Sequence, residues 1–62
     1  MKTITITEVK GQPTYNETYG YWILEVKGYV HEEESIENVE LAGMSEEIMQ
    51  QYKPGDLAHF MR

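Results

Sequence analysis

Polar and apolar residues alternate along the first segment of the chain, Lys2–Val9. Ile4 and Ile6 fall on one face, and threonines at positions 3, 5 and 7 occupy the other. A period of two with β-branched residues predicts a β-strand. The alternation breaks at the end of the segment, so we expect the strand to end or bulge near Glu8. The turn formers within residues 11–16 predict a loop after it.

The strongest strand pattern runs from Tyr19 to Val30. One face combines large apolar residues with two glycines: Gly20, Trp22, Leu24, Val26, Gly28 and Val30. The other face carries Tyr19, Tyr21, Ile23, Glu25, Lys27 and Tyr29. We expect the first face to line the core. A glycine near each end of the strand permits a bulge or a sharp bend, which predicts a strongly curved sheet or a small barrel.

Two weaker strand patterns follow an acidic connection at residues 31–35. Residues 36–42 predict a third strand with Val39 and Leu41 facing inward, and residues 56–61 alternate as a short fourth strand would.

The period changes between these two strands. Ser45 is a suitable helix N-cap, and two glutamates follow it in the first turn, where the helix dipole favours negative charge. Met44 and Met49 have the spacing of a hydrophobic staple. Apolar residues at positions 48, 49 and 52 form a stripe, which predicts a helix of about two turns packed on the sheet. Pro54-Gly55 ends this helix in a type II turn.

These elements predict an α+β, mainly β fold. We expect a small, curved antiparallel sheet or a partial barrel of about four strands, with one short helix before the last strand. The 62 residues make one domain, residues 1–62. A chain of this size buries only about 60% of the surface of its unfolded form. Because it has no cysteine, disulfides and cysteine-zinc sites are excluded, and stability must come from packing or from a partner surface.

The stretch from Val39 to Leu57 combines a strand, a short helix and the sequence Lys-Pro-Gly-Asp before the next strand. It resembles the crossover from the third to the fourth strand in the OB-fold of single-stranded-DNA-binding proteins. The same order of elements also occurs in SH3-like barrels. An OB-fold normally has five strands, so the resemblance implies a truncated barrel or a strand supplied by another subunit.

Charge gives the clearest functional signal. The chain has eleven acidic and five basic residues, which gives a net charge of −6. Seven of the acidic residues crowd into one stretch: Glu32, Glu33, Glu34, Glu37, Glu40, Glu46 and Glu47. A field of this sign repels phosphate backbones and attracts basic partners. The simpler alternative is that acidic loops only keep a small protein soluble.

Catalytic and metal chemistry find little support in the sequence. There is no cysteine nucleophile and no glycine-rich phosphate loop, and Ser45 has a sufficient role as a helix cap. His31 beside three glutamates lacks the spacing of an EF-hand or a His-Glu-x-x-His site. We therefore expect a protein that is not an enzyme, with no cofactor and no metal.

The preferred hypothesis is a small acidic module for protein–protein interaction, acting as a regulator or inhibitor of a basic, nucleic-acid-handling partner. The expected acidic contacts are Glu32, Glu33, Glu34, Glu37 and Glu40. The expected aromatic contacts are Tyr19, Tyr21 and Tyr29, because exposed tyrosines on the face opposite the core mark binding surfaces. The alternative is that the helix or another subunit covers these tyrosines.

A second hypothesis is an OB-type single-stranded nucleic-acid-binding protein, with bases stacked on the same tyrosines and Lys10, Lys27 and Lys53 near phosphates. The scattered lysines count against it, because nucleic-acid affinity depends on clustered cations. Open sheet edges also favour a homodimer. With no apolar run long enough to span a membrane and no cysteine, we expect a cytoplasmic protein.

Overall fold

The computed structural model describes residues 1–61, which form one antiparallel sheet and one short helix. The elements are β1 (Lys2–Asn16), β2 (Tyr21–Val30), β3 (Ser35–Gly43), α1 (Glu46–Gln50) and β4 (Leu57–Phe60). The strands lie in the order β3-β2-β1-β4. The expected mainly β fold, with a short helix before the last strand, is confirmed. Over the described range, no helix combines the length and apolar character needed to cross a membrane.

The core lies on the concave face of the sheet and is entirely apolar. Its buried side chains are Ile4, Ile6, Leu24, Val26, Val30, Val39, Leu41, Met49, Ala58 and Phe60. Every strand and the helix contribute to this set, and the faces expected for β2 and β3 are confirmed. Burying one large aliphatic side chain contributes about 1.5–3 kcal/mol, so this small cluster is the main source of stability.

The sheet curls around this core because β1 and β2 approach each other very closely at Gly28. A Cβ atom built there would lie 2.1 Å from the carbonyl oxygen of Thr5 and 2.9 Å from Cγ1 of Ile4. The pairing register shifts next to this point, between Ile6 and Glu8 of β1. Such a bulge bends the strand and increases its twist. The two outer strands, β3 and β4, are thereby brought towards each other across the core.

β1 is longer than the sequence predicted. The expected loop over 11–16 is wrong, because β1 continues to Asn16 beside β2. The turn formers lie in a second register shift, where residues 11–13 of β1 are opposite the single residue Leu24 of β2. Gly11 has a φ of 81°, which a residue with a side chain rarely adopts. β2 in turn begins at Tyr21 instead of Tyr19, since residues 17–20 form the connecting turn.

The helix begins as expected and is shorter than expected. The side chain of Ser45 accepts a hydrogen bond from the backbone N–H of Ile48 at 3.4 Å, and α1 then spans five residues. Met49 is buried beneath Gly43 of β3, with its Sδ only 2.7 Å from where a Cβ of that glycine would lie. Met44 is 82% exposed, so the proposed staple is wrong. Ile48 is 59% exposed, which leaves Met49 and Tyr52 as the packing face.

The turn after the helix connects directly to β1. Gly55 has a φ of 96°, and its N–H donates to the carbonyl of Ile6 at 2.7 Å. The N–H of Ile6 donates in return to the carbonyl of Asp56 at 2.9 Å. β4 then pairs with residues 2–5 of β1 and directs Ala58 into the core.

Replacing Gly28 with alanine tests the close approach of β1 and β2. The new Cβ would collide with the backbone of Thr5, so Gly28→Ala is expected to lower the free energy of unfolding by about 1–3 kcal/mol. Urea denaturation followed by the fluorescence of Trp22 measures the change. The control is Lys27→Ala on the exposed face of the same strand, which should stay within about 0.5 kcal/mol of the native protein. Equal stability of the two variants would contradict the close approach.

Candidate functional site

Three of the predicted acidic contacts lie in the turn between β2 and β3, and two of them bind β1. Glu32 accepts a hydrogen bond from the backbone N–H of Thr3 at 2.8 Å. Glu33 forms an ion pair with Lys2. Glu34 adopts a positive φ of 53° to close the turn. The carboxylates of Glu32 and Glu33 therefore connect the turn to the start of β1 through a hydrogen bond and an ion pair.

The hydrogen bond from the Thr3 N–H lowers the pKa of Glu32 below its ordinary value. A lowered folded-state pKa gives stability that is present above the unfolded-state pKa and is lost as pH falls through the folded-state value. Glu32→Gln should therefore lower the free energy of unfolding at neutral pH, and its difference from the native protein should shrink in acid. Urea titrations at neutral and acidic pH measure this.

The control for that comparison is Glu17→Gln, which removes an exposed carboxylate from the turn between β1 and β2. It should leave the pH dependence of stability close to that of the native protein. A difference between Glu32→Gln and the native protein that is the same at both pH values would contradict the assigned role of the Thr3 hydrogen bond.

The other two predicted acidic contacts, on β3, face opposite sides of the sheet. Glu37 is half-buried on the concave side and accepts a hydrogen bond from the Ser35 hydroxyl at 2.8 Å. Glu40 is exposed on the convex face, directly opposite Glu25 of β2. The five acidic residues therefore do not form one patch; they extend from the turn along β3.

The pairing of Glu25 with Glu40 is a feature that sequence analysis missed. Both residues have the outward parity of their strands, but only the register between β2 and β3 places them side by side. Like charges directly opposite each other in a sheet are destabilising. Within residues 1–61, neither carboxylate takes part in an ion pair closer than 4.0 Å.

Each of the four lysines lies beside a carboxylate. Lys2 pairs with Glu33, and Lys53 lies 3.5 Å from the Asp56 carboxylate. The other two lie opposite acidic residues in the ladder between β1 and β2: Lys10 faces Glu25, and Lys27 faces Glu8. Directly opposite residues in antiparallel strands project to the same face, so these cations are near negative side chains. The lysines therefore do not form a cationic groove.

The predicted aromatic contacts separate into two places. Tyr19 and Tyr21 stack at the turn between β1 and β2, with ring centroids 5.8 Å apart. Tyr29 lies roughly 26 Å along β2 from Tyr21 and contacts the ring of His31 edge-on, with centroids 5.1 Å apart. Tyr29 therefore does not join the other two tyrosines in one surface.

A second aromatic pair was not predicted. Tyr15 lies opposite Trp22 in the ladder, with ring centroids 5.2 Å apart, and Tyr15 is 51% exposed. The pair was missed because residues 11–16 were expected to form a loop. A loop residue cannot be assigned to a face of the sheet, so Tyr15 could not be placed beside Trp22. The tip of the hairpin formed by β1 and β2 thus presents Tyr15 and Trp22 on one face and Tyr21, stacked on Tyr19, on the other.

The histidines and serines have local partners on separate elements. His31 Nε2 lies 2.6 Å from the Thr5 hydroxyl, and His59 Nδ1 lies 3.2 Å from the Thr3 hydroxyl. Ser45 caps the helix. In the part of the chain that the structure describes, no three histidine or carboxylate side chains come together as a metal site would need.

A cavity of about 470 Å³ lies between the edge of β3 and the end of β4. Its lining residues are Glu25, Asn38, Val39, Glu40, Phe60 and Met61. We call it the seam cavity. Val39 and Phe60 belong to the buried core, whereas Glu25 and Glu40 are exposed. The lining of the seam cavity therefore combines two nearly buried core residues with two exposed carboxylates.

Comparisons with known proteins return no relatives. No protein-family model matches the chain, and no curated protein or solved structure matches it either. The resemblance of residues 39–57 to the OB-fold therefore stays a prediction, and any functional argument depends on the geometry described above.

Proposed function

We propose that this chain is a small, non-enzymatic binding domain for a protein with a basic surface, acting as a regulator or inhibitor of a nucleic-acid-handling partner. The observation that supports this proposal is the distribution of charge. All four lysines lie beside carboxylates, and on the convex face Glu40 adds a second carboxylate beside Glu25, which already faces Lys10.

The surplus negative charge lies on and around β3. Glu34 lies in the turn at one end of β3, Glu40 lies on β3 itself, and Glu46 and Glu47 begin the helix beyond its other end. Fields of one sign raise the association rate of oppositely charged partners and disfavour like-charged ones. A basic protein surface would therefore approach the region around β3 readily, with an affinity that falls as salt increases.

Single-stranded nucleic acid is the weaker alternative for the same reason. Its affinity depends on cations that replace the counterions of phosphates, and here each lysine is already near an acidic group. The stacked rings of Tyr19 and Tyr21 offer a surface for a base, but Glu17 in the same turn adds negative charge. The homodimer and the cytoplasmic location stay predictions.

Affinity capture from the native host lysate tests the proposal. The immobilised chain should retain one or a few proteins of basic surface, because its carboxylates outnumber its cations. Retention should persist after nuclease treatment and should fall as salt is raised. Mass spectrometry identifies the retained proteins, and their isoelectric points give the charge comparison.

A matched bait carries Glu25→Gln and Glu40→Gln, which removes the like-charged pair without adding cations. It should fold at least as stably as the native chain and retain less of the same proteins. Loss of all captured material after nuclease, or a fluorescence change of Trp22 with a single-stranded oligonucleotide at low salt, would contradict the proposal in favour of nucleic acid.

A further inference from the structure

Another cavity opens on the concave side of the hairpin formed by β1 and β2, beside the helix. Its volume is about 280 Å³, and we call it the hairpin groove. Leu24 and Met49 form its buried floor. Its walls include three half-buried residues that keep some exposed surface: Val9, Pro13 and Tyr52. A Cβ atom built on Gly11 would meet nothing within 4 Å, so the groove is open at the bulge of β1.

The aromatic pair of Tyr15 and Trp22 borders the hairpin groove on the side of the hairpin tip. Trp22 packs against the core and lies two residues from Leu24, on the same face of β2. Tyr15 lies opposite Trp22 and is 51% exposed. An exposed tyrosine ring that contacts a second ring provides contact area at a low cost in conformational entropy. The groove therefore has an aromatic border with ring surface accessible to a ligand.

The charges around the hairpin groove are divided between the two faces of the sheet. Gln50 of α1 lines the groove, and Glu46 lies one turn earlier on the same side of the helix. Lys10 and Lys27 share the convex face with Glu25, so they project away from the groove. A cation that enters the groove would therefore meet aromatic rings and a carboxylate, with these two lysines on the far side of the sheet.

This combination of groups favours an arginine side chain. The face of an aromatic ring attracts cations. A guanidinium is planar and weakly hydrated, so it stacks on such a ring more readily than the ammonium of lysine does. The stem of an arginine covers apolar surface while its head stays near water. A phosphate group, by contrast, would be repelled by Glu46.

We infer that the hairpin groove is where the proposed function recognises its basic partner, and that its occupant is an arginine side chain on an exposed segment of that partner. The stem of the arginine lies against Pro13 and Tyr52. Its guanidinium lies on the ring of Tyr15, where the carboxylate of Glu46 complements its charge. This inference rests on the proposed function, because it names the side chain of the basic partner that is recognised.

The test uses two capped peptides of glycine and serine that differ only in one central residue, arginine or citrulline. Citrulline keeps the shape of arginine and lacks its charge. In nuclear magnetic resonance titrations of the isotope-labelled native chain, the arginine peptide should shift the indole N–H signal of Trp22 and the amide signals of Val9 and Gly11. The citrulline peptide should bind about fivefold more weakly or worse, because it cannot make the cation–aromatic contact.

A matched pair of tyrosine variants tests the aromatic border. Tyr15→Leu keeps an apolar side chain beside Trp22 and removes the ring that attracts the cation, so it should weaken the arginine peptide about threefold to fivefold. Tyr19→Leu makes the same change on the other face of the hairpin tip and should leave the affinity unchanged. The dispersion of the amide signals shows that both variants are folded.

A second matched pair tests the local role of charge, since each variant removes one carboxylate. Glu46→Gln should weaken the arginine peptide about twofold to threefold. Glu40→Gln should have a smaller effect, because Glu40 lies on the convex face of β3.

The outcomes separate this inference from the proposed function. No shift with the arginine peptide, equal affinities of the arginine and citrulline peptides, or equal effects within either matched pair of variants would overturn the arginine site. Capture of a basic protein would then still support the proposed function. Shifts of the same signals on concentrating the free chain would also overturn the site, because a second copy would then occupy the groove. Absence of any basic protein in the capture experiment would contradict the proposed function itself.

Discussion

The close approach of β1 to β2 at Gly28 is the constraint on which the rest of the structure depends. A side chain there would overlap the carbonyl of Thr5, so only glycine lets β1 bulge inward and the sheet bend around its core. The bend lets four strands and a single buried residue of the helix, Met49, enclose an apolar cluster without a fifth strand. It also brings β3 and β4 near each other, with the seam cavity between them.

The charge distribution follows from the same sheet. The register between β1 and β2 places Lys10 and Lys27 opposite acidic residues. Lys2 forms an ion pair with Glu33 in the turn between β2 and β3. Each lysine thus lies beside a carboxylate of the same molecule, and the register between β2 and β3 places Glu40 as a second carboxylate beside Glu25. Stability alone would favour replacing one of this pair. The basic partner that we propose would give a physical reason for keeping both.

The sequence predicted those features that depend on local pattern. The two faces of β2, the cap at Ser45 and the bend at Gly28 follow from alternation, capping preference and glycine placement. Features that depend on pairing were missed. The turn formers near Pro13 form a bulge within β1 and do not end the strand. The pairing of Glu25 with Glu40 depends on the register between two strands, which the sequence of one strand alone does not predict. For the same reason the predicted acidic and aromatic residues were separated into several places in the fold.

Amide hydrogen exchange in the native protein and in Gly28→Ala tests the central constraint most directly. The N–H groups of Ile6 and Gly55 form the hydrogen bonds that join the bend in β1 to the turn before β4. If the bend needs glycine at position 28, both amides should exchange faster in the variant than in the native protein. Equal protection of both amides in the two proteins would contradict the dependence of the bend on Gly28.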